Sequence, residues 1–160
     1  MTGYSQNRGM GTSRGTGGNP QQPGGERRGG REFFRPTDRS LLEKIITDPN
    51  STEKMVEEAE RVGEAIAKTL STSQIRAIFS EVRSIEADWQ HNPQRAHHRL
   101  LLLKPKMDYR AKKESGGGVG DLVKVLKPAV DFVRGDTENF KRFVEFFEAI
   151  LAYHRAYGDR

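Results

Sequence analysis

Residues 71–89 read STSQIRAIFSEVRSIEADW, and their spacing decides the fold class. Counted at about 100° per residue, Ile75, Ile78, Phe79, Val82, Ile85 and Trp89 share an arc of roughly 120°, the apolar stripe of an amphipathic helix. Ser71 and Gln74 form a capping box that satisfies two amides the first turn would leave unpaired. Arg76 and Arg83 project from one side, next to the stripe.

Outward from this helix the pattern stays helical, and no stretch sustains period-two alternation. Toward the N-terminus, Thr37 and Asp38 follow Pro36 and can cap a short helix carrying Leu41, Leu42, Ile45 and Ile46, which Pro49 ends. A second helix starts near Asn50 or Ser51 and runs to about Thr69, with Met55, Ala59, Val62 and Ile66 inward. Ala59, Gly63 and Ala67 line a strip of small side chains that would let a neighbouring helix come close. Its face of Glu53, Glu57, Glu58, Glu60 and Glu64 reads as solvated, with a basic partner as the alternative.

Toward the C-terminus, Asn92 and Pro93 supply an N-cap and first position for a fourth helix containing residues 100–113, LLLLKPKMDYRAKK. Leu100 to Leu103 step around the whole circumference, which predicts a helix surrounded by others. Pro105 removes the bond to the Leu101 carbonyl and is expected to kink or end the helix. If the helix resumes, Lys106, Arg110 and Lys113 stand within about 60° of one another.

Residues 114–120, ESGGGVG, read as a flexible loop whose glycines are slack. Asp121–Arg134 forms a fifth helix, bent at Pro128 and stopped by Gly135. Asp136 caps a sixth, whose stripe of Phe140, Phe143, Val144, Phe147, Ile150 and Leu151 is widened by Phe146, Tyr153 and Tyr157. Such a wide apolar arc belongs to a central helix or lends a flank to another subunit. His154 lies within the stripe and reads as a hydrogen-bonded core residue.

The expected architecture is all-α, a compact bundle of five to six helices over residues 36–160. Residues 1–35 form a Gly/Arg-rich tail, and residues 1–33 hold ten of the seventeen glycines. Such a tail buries too little to offset its ordering entropy and is expected to be disordered. Its Arg-Gly pairs resemble RNA-associating tails, while a solubilising leader is the plainer alternative. No cysteine is present, and the longest apolar run, Ala149 to Tyr153, is far too short for a membrane span. The N-terminus shows no secretion signal, and the expectation is a soluble cytoplasmic protein without membrane association.

The net charge of +5 is unevenly placed. Residues 1–35 carry +4 and His91–Lys113 carries +6, so the remainder sums to −5. A two-sided charge distribution favours a polyanion on one face. The glycines of residues 114–120 lack the Lys-Ser/Thr ending of a phosphate loop and follow no strand. His91, His97 and His98 lack the i, i+4 pairing of metal ligands. No residue set has the pattern of a catalytic site, and neither an enzyme nor a cofactor is expected.

Three segments, LSTSQIRAIFSEVRSIE (70–86), LLLLKPKMDYRAKK (100–113) and NFKRFVEFFEAILAYHRAYG (139–158), together resemble the small subunit of the Csm complex, the type III-A CRISPR effector. The resemblance implies a non-catalytic scaffold whose copies stack as a filament along guide RNA and target RNA, beside other Csm subunits. It carries Arg76, Lys104, Lys106 and Arg110 over as RNA-backbone contacts. Arg83, Lys112 and Lys113 join them on charge placement alone. Against this stand plainer roles: Arg76 and Arg83 could cover the apolar stripe and pair with Glu81 or another carboxylate, and the lysines around Pro105 could complement a helix C-terminus. A helical protein–protein adaptor docking through Phe146, Tyr153 and Tyr157 is the alternative function.

Overall fold

A computed structural model describes residues 33–158 apart from residue 115. Among them are six helices and no strand: α1 (Arg39–Thr47), α2 (Thr52–Ile66), α3 (Thr72–Trp89), α4 (Pro93–Lys113), α5 (Gly118–Asp131) and α6 (Thr137–Gly158). The all-α bundle follows from the periodicity. The expectation of a disordered tail concerns residues that lie, up to 32, outside the described ones; Phe34, placed in that tail, is buried in the core.

α6 is the central element. Phe143, Phe146, Phe147 and Ile150 are completely buried, and α1, α2 and α3 pack around the helix. Each such side chain contributes roughly 1.5–3 kcal/mol by leaving water. The wide apolar arc is filled from within the chain. Phe146 is buried, Tyr153 packs on the core, and the Tyr157 hydroxyl donates to Glu60 at 2.6 Å. That hydrogen bond to a carboxylate, with help from burial, pushes the Tyr157 phenol up to about 12.

Close approach of α2 to α6 depends on Gly63. A Cβ there would sit 2.7 Å from Tyr153 Cβ and 2.9 Å from the His154 amide nitrogen. His154 is buried, and its Nε2–H donates to the Leu70 carbonyl, tying α6 to the chain leaving α2. At the other end, Arg142 of α6 donates to the carbonyls of Ile46 and Thr47, two of the groups that the end of α1 leaves without partners.

Local signals for helix starts mostly hold. The capping box of Ser71 and Gln74 is present, Asn92 accepts from the Arg95 amide, and Asp136 accepts from the Asn139 amide. The start of α1 differs. Asp38 binds the Ser40 hydroxyl, and Thr37, the other expected cap, donates to Glu58 on α2 at 2.6 Å. Glu58 is therefore buried and paired with Arg61, not part of a solvated face.

The glycines after α4 are likewise a correction. Three of the four are required, not slack: Gly116 and Gly117 have φ of 98° and 80°, and a Cβ on Gly118 would run into the Thr69 carbonyl, whereas Gly120 has open space around it. α5 accordingly begins three residues before the expected Asp121.

Replacing Gly63 by Ala is expected to lower stability by about 1–3 kcal/mol, the usual cost of forcing atoms into a packed contact. Thermal denaturation followed by circular dichroism measures it. Acid should act through Glu58. Burial raises its pKa, but hydrogen bonds from Arg61 and Thr37 and the charges of Arg61 and Arg35 outweigh that and hold the carboxyl below its ordinary 4.5. A depressed folded pKa gives stability that is present above the ordinary value and lost as pH falls through the folded one. Urea titrations at several pH values should show Glu58→Gln less stable at neutral pH and less sensitive to acid than the parent chain.

Candidate nucleic-acid interface

The basic residues of α3 and α4 occupy several surfaces. α4 packs against α3 on one side and α5 on the other, leaving its outer side to solvent. Leu100 and Leu103 are buried, but Leu101 and Leu102 are 41% and 49% exposed, so the four leucines do not mark a helix enclosed all round. Two neighbours cover only two flanks. The helix also runs through Pro105 without ending. Both Pro105 and Leu101, whose carbonyl loses its bond to an amide, are exposed, so water can serve that carbonyl.

Part of the positive charge in residues 91–113 is paired within the fold. Arg95 and Arg99 both pair with Asp88, whose carboxyl is held below the usual range chiefly by the Arg95 hydrogen bond. Lys104 points toward α5 and forms a hydrogen-bonded ion pair with Asp131. Asp108, on the same flank of α4, takes Lys127 of α5 at 2.7 Å.

What remains is the last part of α4. Lys106, Arg110 and Lys113 line one open groove of about 500 Å³ between α3 and α4, together with Ile78, Leu103, Pro105 and Met107. Lys106, Lys112 and Lys113 are exposed, and none of the three has a carboxylate at ion-pair distance among the described residues. Arg110 stands 3.9 Å from Glu114. Glu114 itself accepts from Gln74 at 2.6 Å, which fastens the end of α4 to the start of α3. Three cations in the last turn also complement the negative end of the helix, so the placement stabilises α4 whatever else it does.

Arg76 and Arg83 do not join this groove. α3 turns Gln74, Glu81, Ser84 and Asp88 toward α4, and it turns Phe79 toward α6, where its ring meets Phe147 at 5.1 Å. The Arg83 guanidinium lies over the Phe79 ring and pairs with Glu86 at 2.8 Å, in keeping with its plainer role of covering the stripe and pairing with a carboxylate. Arg76, about 20° from Arg83 around the helix, is exposed on that far flank.

The groove brings in three residues that the sequence did not assign to the binding surface: Tyr109, Glu114 and Glu81, the last considered only as an ion-pair partner for Arg76 or Arg83. Helical counting could have found Tyr109, which falls about 40° from Lys113 and 20° from Leu102. The two glutamates come from outside the basic run, and only tertiary packing places them.

Residues 49–160 match the family described as Csm2 Type III-A. The chain belongs to this family. It is thus a structural subunit of a type III-A CRISPR complex, and it associates with other Csm subunits. The Csm2 match takes in α2 to α6 and therefore both walls of the groove. No curated protein sequence and no solved structure matches the chain. No helix among the described residues is long and apolar enough to cross a membrane.

The Lys104–Asp131 pair is partly exposed at both ends, so its contribution is small. A double-mutant cycle of Lys104→Ala and Asp131→Ala, read by urea denaturation, should give a coupling below about 1 kcal/mol.

Proposed function

We propose that this subunit holds guide RNA and target RNA within the CRISPR complex through sequence-independent contacts to the ribose-phosphate backbone, without catalysis of its own. The observation that carries the reading is the groove: Lys106, Arg110 and Lys113 converge on it, and Lys112 extends the charge along the same helix end. Cations on a rigid helix bind phosphates by displacing counterions and read no base.

The contact set is thus Lys106, Arg110, Lys112 and Lys113. Lys104 and Arg83, already paired within the chain, fall outside it, and Arg76 offers a separate exposed cation on the far flank of α3. Copies stacked beside the RNA would meet through unlike faces. α2 exposes Glu53, Glu57, Glu64 and Val56, whereas α4 exposes cations and Leu101. The Gly/Arg-rich residues 1–35 are assigned no part in these contacts, and the complex is placed in the cytoplasm.

Lys106→Glu with Lys113→Glu should weaken binding of a random-sequence RNA by at least tenfold. The slope of log affinity against log salt should also shrink by about 1.4, at roughly 0.7 per lost single-strand contact. Filter binding across a salt series measures both, with circular dichroism to check the fold. Unchanged affinity and slope would overturn the reading. Co-purification of Csm subunits that survives nuclease and both charge reversals would favour the adaptor role.

A further inference from the structure

A surface made only to hold phosphates has no use for an apolar floor. The groove has one, built from Ile78, Leu103, Pro105 and Met107, and at its edge stands Tyr109, 65% exposed. An aromatic ring left in water on a helix loses the burial that normally accounts for its presence. Leu102, 49% exposed, lies on the same side of α4 and extends the apolar rim. Lys113 Nζ sits 5.8 Å from the centre of the Tyr109 ring, so a group stacked on that ring would be within reach of an ammonium.

Two carboxylates complete the lining. Glu114 is engaged by Gln74 and lies near Arg110, whereas Glu81, half-buried, has no partner among the described residues. A carboxylate repels a phosphate but accepts from the exocyclic amine of a base or from a ribose hydroxyl. Apolar floor, exposed ring, cationic rim and a waiting acceptor together fit a nucleotide more fully than they fit a phosphate chain. The groove, at about 500 Å³, is also within the roughly 300–1,000 Å³ of small-ligand sites.

We infer that the α3–α4 groove seats the base of an unpaired ribonucleotide against Tyr109, with Lys106, Arg110 and Lys113 taking its flanking phosphates and Glu81 accepting a hydrogen bond from the base or ribose. The inference rests on the reading that this end of α4 binds RNA, and adds that it selects a nucleotide outside the duplex. A base within a duplex has both faces stacked and its pairing edge occupied, so it cannot enter. Stacking on an aromatic side chain tolerates any base, so the selection is for an exposed base and not for sequence.

The test compares a single-stranded RNA, the same RNA annealed to its complement, and a strand carrying abasic sites, each titrated at low salt against the full chain and its variants. Tyr109→Ala should weaken single-strand binding about tenfold or more and leave duplex binding within about twofold. Tyr109→Phe, which keeps the ring, should bind like the parent chain. Abasic sites should cost the parent chain affinity and cost the Tyr109→Ala variant little. Because Tyr109 is exposed, the thermal midpoint should stay put, and a variant that fails to fold leaves Tyr109→Phe and the abasic strand to decide.

Equal loss on single strand and duplex, or no loss on either, overturns the seated base. If Lys106→Glu with Lys113→Glu abolishes binding while Tyr109→Ala does nothing, the backbone reading survives and this inference alone falls. No RNA binding at low salt overturns both. Loss of a Csm subunit from the nuclease-treated complex on Tyr109→Ala, with RNA affinity unchanged, would assign the groove to a protein segment and sink the nucleotide.

Discussion

The contact between α2 and α6 at Gly63 governs the rest of the molecule. Here two helices approach so closely that backbone and Cβ atoms of α6 occupy the space a side chain would need. With the spacing fixed, His154 reaches the Leu70 carbonyl, Tyr157 reaches Glu60, and the phenylalanines of α6 become enclosed. α3 then packs on the resulting surface through Phe79 and Trp89. The Trp89 ring stacks on Phe140 at 4.2 Å, and its indole N–H donates to Thr137. α4 is held one step further out, between α3 and α5, which is why one side of it meets solvent.

Electrostatics follows from the packing. A count of charges along residues 91–113 suggests an unbroken cationic run. In the fold, Asp88 answers two of its arginines and Asp131 one of its lysines. These pairs add little stability where they are exposed. Their larger effect is subtraction: within residues 91–113, Lys106, Lys112 and Lys113 are left without an ion-pair partner among the described residues.

Properties fixed by a few consecutive residues were legible in the sequence. The capping box at Ser71, the caps at Asn92 and Asp136, the stripe of α3 and the small-residue strip at Gly63 all depend on spacing within a turn or two. Lys106, Arg110 and Lys113 were grouped by helical counting, and they do line one groove. What failed needed knowledge of neighbours. Leu101 and Leu102 looked like core because four leucines in a row suggest enclosure, but the number of flanking helices decides burial. Thr37 forsook its cap for Glu58, twenty-one positions away, and Lys104 turned to Asp131 on another helix. Arg76 and Arg83 share a helix with the groove's wall, but on its far side. Recognition of the family rests on residues 49–160, whereas α1 and Phe34 join the core from outside that match.

The end of α4 is fastened from two directions. Gln74 of α3 grips Glu114, and beyond the turn Gly118 is wedged against Thr69 at the foot of α2. A loose basic peptide surrenders much of its freedom when a polyanion arrives, and its affinity suffers accordingly. Here that freedom was relinquished when the chain folded. For the proposed RNA contact the helix tip is already in shape, and a handful of cations would give a foothold that repetition along an assembly would multiply.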